Sequence, residues 1–353
     1  MIHNSNQVSD NINVKKLRSF LSSHSTKSED QYTHTTMGGY PTGKFNISDK
    51  ENEGFIGTYI RVLRLYKGLK MEPELYVLER PKFVGPLTID LDFRHIETKR
   101  MYTEDNIYTI CKKFNDKIKK YFDIDPTRIV CHVLEKKTPI LDKNNIVHDG
   151  LHIIYPDIPM VAPMRCHIIN EVKLEVENEN CFQNINLTNK LNDVFDLSIV
   201  IRNLWFMYGS RKPNNQAYEL TIVYDHDMKK KDLEKYKNET DLDLVTLFSV
   251  RRYDQNKSVP LKNEWINNNE FNILVNDQYK KCKTKDKNKE QNKKLQQLPV
   301  NDFSCNNNNV QNNNLENCNY PNYNYQNYNY QNYNYPNNNN YQNYNYPNNN
   351  YLN

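Results

Sequence analysis

Several things are missing from this 353-residue chain, and each absence narrows what it can be. No apolar run approaches the roughly 20 residues that a membrane-spanning helix needs. No charged-then-apolar leader opens the chain. Seven cysteines, an odd number, show no C-x-x-C spacing. That pattern argues for reduced thiols in an intracellular protein and against a zinc ribbon. Sequons such as Asn186-Leu187-Thr188 are then expected to stay unmodified. An excess of one charge is missing too: 47 Lys and Arg face 43 Asp and Glu, for a net charge of +4 and a pI near 8.4. That balance permits a nucleic-acid partner without demanding one, because local patches outweigh the sum. A complete P-loop is also absent. Gly38 to Lys44 spells G-x-x-x-x-G-K, but Phe45 follows, which cannot ligate Mg²⁺, and no buried strand precedes the segment. Gly38-Gly39-Tyr40-Pro41 is expected to be a plain turn.

What is present falls into zones. Residues 1–30 are polar, with a short apolar stripe of Val14, Leu17, Phe20 and Leu21. Residues 31–275 alternate apolar and polar segments like a folded domain. Residues 276–304 are rich in Lys and Gln and read as a solvated helix or linker. Residues 305–353 are almost only Asn, Tyr, Gln and Pro in short repeats. Lacking aliphatic residues for a core, this tail is expected to be disordered. Heavy use of Asn, Lys, Ile and Tyr fits an AT-rich genome, which makes repeat expansion the simpler origin of the tail.

Inside the folded zone, strands are expected at Leu75–Leu78, Leu87–Phe93, Arg128–Leu134, Leu151–Tyr155 (ended by Pro156), Leu204–Tyr208 and Tyr218–Tyr224. Thr103 is placed to cap a helix whose apolar residues Ile107, Ile110, Cys111, Phe114, Ile118 and Tyr121 keep helical spacing. Further helices are expected after Pro156 through Val172 and around Leu187–Phe195. The mixed order makes the fold class α+β.

The most informative segment is Thr88-Ile89-Asp90-Leu91-Asp92-Phe93. Side chains alternate along a strand, so Asp90 and Asp92 point one way and Leu91 the other. Two neighbouring carboxylates repel unless a cation sits between them, and the usual one is a hard divalent metal, Mg²⁺ or Mn²⁺. A strand end leaving the sheet with both aspartates in water explains the pattern equally well. A second segment is Asp149-Gly150-Leu151-His152, where a histidine at a strand start can reach a phosphate; a satisfied core histidine is the commoner case. A third runs from Phe195-Asp196 to Tyr208-Gly209-Ser210-Arg211-Lys212-Pro213. Its turn offers backbone amides and two cations, a possible phosphate cradle. A second D-x-D, Asp241-Leu242-Asp243, precedes a helical pattern and reads as a cap.

Taken together, these segments resemble the archaeo-eukaryotic primase domain, above all the primase half of the primase-helicase proteins of large nucleocytoplasmic DNA viruses. Ile89-Asp90-Leu91-Asp92 is similar to the family's paired acids. Gly150-Leu151-His152 is similar to its histidine motif, with glycine where serine is common. Phe195-Asp196 is similar to its hydrophobic-Asp motif, with Asp193 a rival for the third acid. Tyr32-Thr33-His34-Thr35, Gly43-Lys44-Phe45 and Leu247-Phe248-Ser249-Val250-Arg251 extend the likeness over roughly residues 31–252. The resemblance implies a primase-type core with an RNA-recognition-motif-like sheet. It implies a two-metal site on Asp90, Asp92 and Asp196, with His152, Ser210, Arg211 and Lys212 binding the nucleotide. Single-stranded DNA template, NTPs or dNTPs, and a helicase on a separate chain are the implied partners, with Arg251, Arg252 and the Lys-rich segment on the template. No membrane is implied. For a viral enzyme, host cytoplasm or a virus factory is the implied location. Two other classes stay open: a single-strand-binding accessory that has lost synthesis, and a D-x-D glycosyltransferase.

Overall fold

The computed structural model describes residues 10–29, 31–39, 41–237, 241–252 and 257–296. In chain order the first elements are helix α1 (Ile12–Ser23), strands β1 (Ser25–Thr26), β2 (His34–Thr36) and β3 (Gly43–Phe45), helix α2 (Asn52–Gly68), and strands β4 (Val77–Glu79) and β5 (Val84–His95). Then come α3 (Glu104–Tyr121), β6 (Cys131–Glu135), β7 (Ile140–Leu141), β8 (Val147–Val161), α4 (Ala162–Asn178), and the short helices α5 (Leu191–Val194) and α6 (Ser198–Ile201). The remainder are β9 (Trp205–Phe206), β10 (Glu219–Tyr224), α7 (Glu234–Lys237), α8 (Asp241–Leu247), α9 (Asn263–Ile266) and α10 (Asn269–Gln296).

These elements make an α+β fold with two antiparallel sheets. One has the strand order β1-β3-β2-β4-β9, the other β10-β6-β8-β5 with β7 paired to β8. The second sheet positions the candidate site. Its two long strands pair in register from Leu87↔Tyr155 through Asp90↔His152 to His95↔Val147. Alternation then sorts the side chains. Ile89, Leu91, Ile153 and Tyr155 are fully buried, and the Tyr155 hydroxyl donates to the Cys111 carbonyl of α3 at 3.1 Å. That face of the sheet is therefore covered by helix. Asp90, Asp92 and His152 fall on the opposite face.

Helix α3 forms as its sequence predicts. Thr103 and Asn106 make a reciprocal capping box, and the expected apolar stripe is buried. The apolar stripe of the polar N-terminal segment also finds a use: Val14, Leu17 and Leu21 of α1 join a core with Phe55, Tyr59 and Leu63 of α2. Pro156 does not end its strand. The β5–β8 register jumps from Pro86↔Pro159 to Leu87↔Tyr155, so residues 156–158 bulge out, and a bulge tolerates a residue without an N–H. β8 runs on to Val161 before α4 begins. Residues 126–128 form a 3-10 turn rather than the start of a strand. The helix expected around 187–195 is confined to Leu191–Val194, and the strand expected at 204–208 to Trp205–Phe206, in the other sheet. Gly38 to Lys44 lies between and within the hairpin strands β2 and β3, not in a strand–loop–helix unit. Asp241 stands inside the first turn of α8. Helix α10 crosses the expected boundary at Val275; residues 297–353, including the Asn/Tyr-rich tail, lie outside the described residues.

One buried group sets an acid limit on this fold. His132 of β6 is 3% exposed, packed edge-on against Tyr236 and Phe248. Burial, and next among the charged groups Lys231, push it down to about 3 from its ordinary 6.5. The folded state holds it neutral while the unfolded chain protonates near 6.5. Its contribution to stability is therefore intact above about pH 6.5 and is lost as pH falls toward about 3. His132→Phe should flatten that limb. The check is the urea midpoint of both proteins between pH 7 and pH 4.

Candidate active site

The site is assembled by backbone pairing. β5 presents Asp90 and Asp92 on its open face, each only partly buried between buried neighbours. Across the ladder, His152 stands opposite Asp90, with its Nε2 3.6 Å from Asp90 Oδ1. Gly150 stands opposite Asp92. Asp196 arrives on the outer edge of β5. Leu91 and Phe195 form an isolated antiparallel bridge, and the Asp196 amide donates to the Asp90 carbonyl at 3.1 Å. The Asp196 carboxylate accepts from the Ser198 amide at 3.0 Å, the Ser198 hydroxyl at 2.5 Å and the Asn203 amide group at 3.1 Å. Asp193 is exposed on α5, and its amide donates to the Lys190 carbonyl at 2.8 Å.

Electrostatics mark Asp90 as the centre. Burial pushes its carboxyl up to about 7, with Asp196 and then Asp92 adding repulsion, while Lys212 and Lys136 oppose the rise. His152 is held well below its ordinary value by burial, with the positive charges of Lys136 and Lys212 adding to the effect. It is therefore a neutral imidazole at pH 7. Its ring is stacked on Tyr218 at 3.6 Å between centroids and lies against Trp205 at 4.2 Å.

The structure brings together Asp90, Asp92, Asp196, His152 and Lys212; Ser210 lines a small buried pocket beside His152, Trp205 and Tyr218, and Arg211, Arg251 and Arg252 are held by other contacts. Gly209 adopts a positive φ of 84°, and the turn it makes directs Ser210 inward. The Ser210 hydroxyl is bonded to the Val77 amide and the Tyr59 hydroxyl, both at 3.0 Å. Arg211 donates to the carbonyls of Pro73 at 2.7 Å and Asn215 at 2.6 Å, so it pins the turn. Arg251 donates to the Arg80 carbonyl at 2.7 Å, and Arg252 pairs with Asp157 at 3.3 Å. Lys136, Tyr218, Trp205 and, behind the sheet, Arg100 are further parts of the site, and no sequence pattern marks them as such.

Three carboxylates are a hard-oxygen donor set that fits a divalent cation such as Mg²⁺ or Mn²⁺. Among the described residues, however, no three His, Cys, Asp or Glu side chains are gathered closely enough to hold one. Asp92 instead turns Oδ2 to Arg94 at 3.2 Å, and Asp196 faces Ser198 and Asn203.

Gly150 keeps the two strands close. A Cβ at this position would collide with the Leu91 carbonyl oxygen, a backbone atom that cannot swing aside. Gly150→Ala should therefore push β8 off β5 beside Asp92 and cost about 2 kcal/mol. A thermal unfolding midpoint equal to that of the parent protein would remove this account of the glycine.

The fold and this site place the chain among α+β domains that gather acids on the open face of an antiparallel sheet. Residues 33–224, more than half of the chain, match the family described as "C962R protein N-terminal AEP domain", and the chain belongs to this archaeo-eukaryotic primase family. It is 35% identical over 207 residues to a helicase-named protein of Acanthamoeba polyphaga mimivirus, L207/L206, a match covering 57% of this chain and 21% of that protein. It is 26% identical over 216 residues to a helicase-named protein of Invertebrate iridescent virus 3, 121R, covering 57% and 22%. The chain thus spans about a fifth of the length of these curated relatives. Among the described residues, no helix is long and apolar enough to cross a membrane.

Proposed function

We propose that this chain is a DNA-templated nucleotidyltransferase, a primase or primase-polymerase that makes or extends primers in viral DNA replication. The observation that carries the reading is the bond from the Asp196 amide to the Asp90 carbonyl, which sets a third acid beside the paired ones and across the sheet from His152. Family membership and the helicase-named viral relatives point the same way. The succession β5-α3-β6-β8-α4-β10 within residues 31–275 has the element order of an RNA-recognition motif, with the difference that the last strand pairs with β6 rather than with β5.

Asp90, Asp92 and Asp196 would hold Mg²⁺ or Mn²⁺, which when bound lowers the pKa of a 3′-hydroxyl and neutralises the leaving pyrophosphate. The remaining steps belong to the chain's own residues. Neutral His152, fixed by the Tyr218 and Trp205 rings, offers a ring N–H to a phosphate oxygen without needing protonation. Lys212 would place a cation where the triphosphate gains negative charge. Single-stranded DNA would lie along the open face of the sheet, and helicase activity would come from outside residues 31–275.

Labelled nucleoside triphosphates offered beside labelled nucleotide sugars, in Mn²⁺ and with single-stranded DNA, test the chemistry. Incorporation into polynucleotide supports the proposal. Transfer from the sugars assigns a glycosyltransferase instead, and metal-independent DNA binding with neither reaction assigns an accessory protein.

A further inference from the structure

We infer that Lys136 is a second phosphate-binding cation of this site, acting with Lys212 on the triphosphate of the incoming nucleotide. The inference rests on the nucleotidyltransferase reading and deepens it, since neither the paired acids nor the histidine and turn motifs include Lys136.

The first ground is placement. Lys136 follows the last residue of β6, and within β6 Leu134 stands opposite His152. Its ammonium lies 4.9 Å from the centre of the Tyr218 ring. That ring stacks on His152, whose Nε2 is 3.6 Å from Asp90 Oδ1. Lys136 therefore belongs to the same cluster as the acids, at the end where His152 and Lys212 stand.

The second ground is that Lys136 is held in place from behind. Arg100 Nη2 donates to the Lys136 carbonyl at 2.7 Å. The same guanidinium grips Asp149 with Nε at 2.9 Å and Nη2 at 3.2 Å, and Glu135 with Nη1 at 2.9 Å. Glu135 in turn accepts from Tyr102 at 2.9 Å and Thr221 at 2.5 Å. This network ties the end of β6 to the start of β8 on the covered face of the sheet. It fixes the backbone that presents Lys136 and His152 on the open face.

The third ground is charge. Neither Lys136 nor Lys212 forms an ion pair with any carboxylate among the described residues, although Asp90, Asp92 and Asp149 are near enough to favour the Lys136 ammonium and both lysines act on Asp90. Burial and the neighbouring Lys212 both hold the Lys136 ammonium below its ordinary pKa. A part-buried cation facing another cation, with no carboxylate salt bridge, is an unfavourable arrangement in the free protein. A ligand with several negative charges relieves it. A nucleoside triphosphate brings more negative charge to the two ammonium groups than a nucleoside monophosphate does.

The test is nucleotide affinity against phosphate number. Binding of ATP, ADP and AMP is measured on the full chain with Mg²⁺ and oligo-dT, for the parent protein, Lys136→Met, Lys136→Gln, Lys136→Arg and Lys212→Met. Thermal unfolding of each variant controls for folding. We expect Lys136→Met and Lys136→Gln to weaken ATP about tenfold and AMP by less than twofold, with Lys136→Arg recovering most of the loss. Unchanged ATP affinity in Lys136→Met and Lys136→Gln, alongside a loss in Lys212→Met, overturns the inference and leaves the nucleotidyltransferase reading standing. Equal losses for ATP and AMP also overturn it, because they mark a structural role. A parent protein that does not prefer ATP to AMP overturns both.

Discussion

Asp90→Asn should cut templated nucleotide incorporation by about a thousandfold or more, roughly 4 kcal/mol of barrier, without unfolding the protein. Asp90 is the meeting point of the site: His152 faces it across the ladder, and the Asp196 amide is bonded to its carbonyl. Asparagine has nearly the same shape, and the bond from Asp196 uses the backbone, so the local structure survives. What disappears is one of three negative charges available to a divalent cation. Removing it also relieves repulsion from Asp92 and Asp196, so the metal-free variant should unfold no earlier than the parent. Asp196→Asn should match Asp90→Asn in lost activity, whereas Asp193→Asn should keep most of it. Incorporation rates read beside thermal unfolding midpoints check all three. Loss in Asp193→Asn with activity retained in Asp196→Asn would exchange the two residues in the account.

Arg100→Met should cost about 3–5 kcal/mol of stability. Its partner Asp149 is buried, with a side chain that is 0% exposed, and Glu135 is nearly so. Methionine fills much of the same space but leaves both carboxylates without their cation. The Gly150 amide donates to Asp149 Oδ1 at 3.0 Å, which offsets only part of that charge. Arg100→Met combined with Asp149→Asn should recover part of the loss, because the uncompensated charge is then gone. Urea midpoints for the single and double variants give the coupling. A loss below about 1 kcal/mol for Arg100→Met would mean that the network is an exposed ion pair of little consequence.

The paired acids were legible in the sequence because a strand's alternation is local: six residues suffice to put Asp90 and Asp92 on one face. Helix α3 was legible for the same reason, its cap and stripe lying within 18 residues. The third acid was not. Asp193 and Asp196 sit in similar short patterns, and what separates them is a backbone bond to a strand roughly a hundred residues earlier. The Gly209-Ser210-Arg211-Lys212 turn was half legible. Its exposed basic character was right for Lys212, but the turn geometry at Gly209 gives Ser210 and Arg211 to the interior and to carbonyls. Lys136 follows β6, Trp205 lies in β9 of the other sheet and Tyr218 immediately precedes β10, so only the tertiary fold unites them. Pro156 misled because proline usually ends strands, and the bulge that accommodates it depends on the facing strand.

The most direct measurement is template-directed synthesis by the full chain on oligo-dT and on mixed single-stranded DNA, with NTPs or dNTPs, in Mg²⁺ or Mn²⁺, with and without a primer. The account predicts products complementary to the template that vanish on chelation and in Asp90→Asn. No incorporation by the folded parent protein under any of these conditions, or equal incorporation by Asp90→Asn, would contradict it.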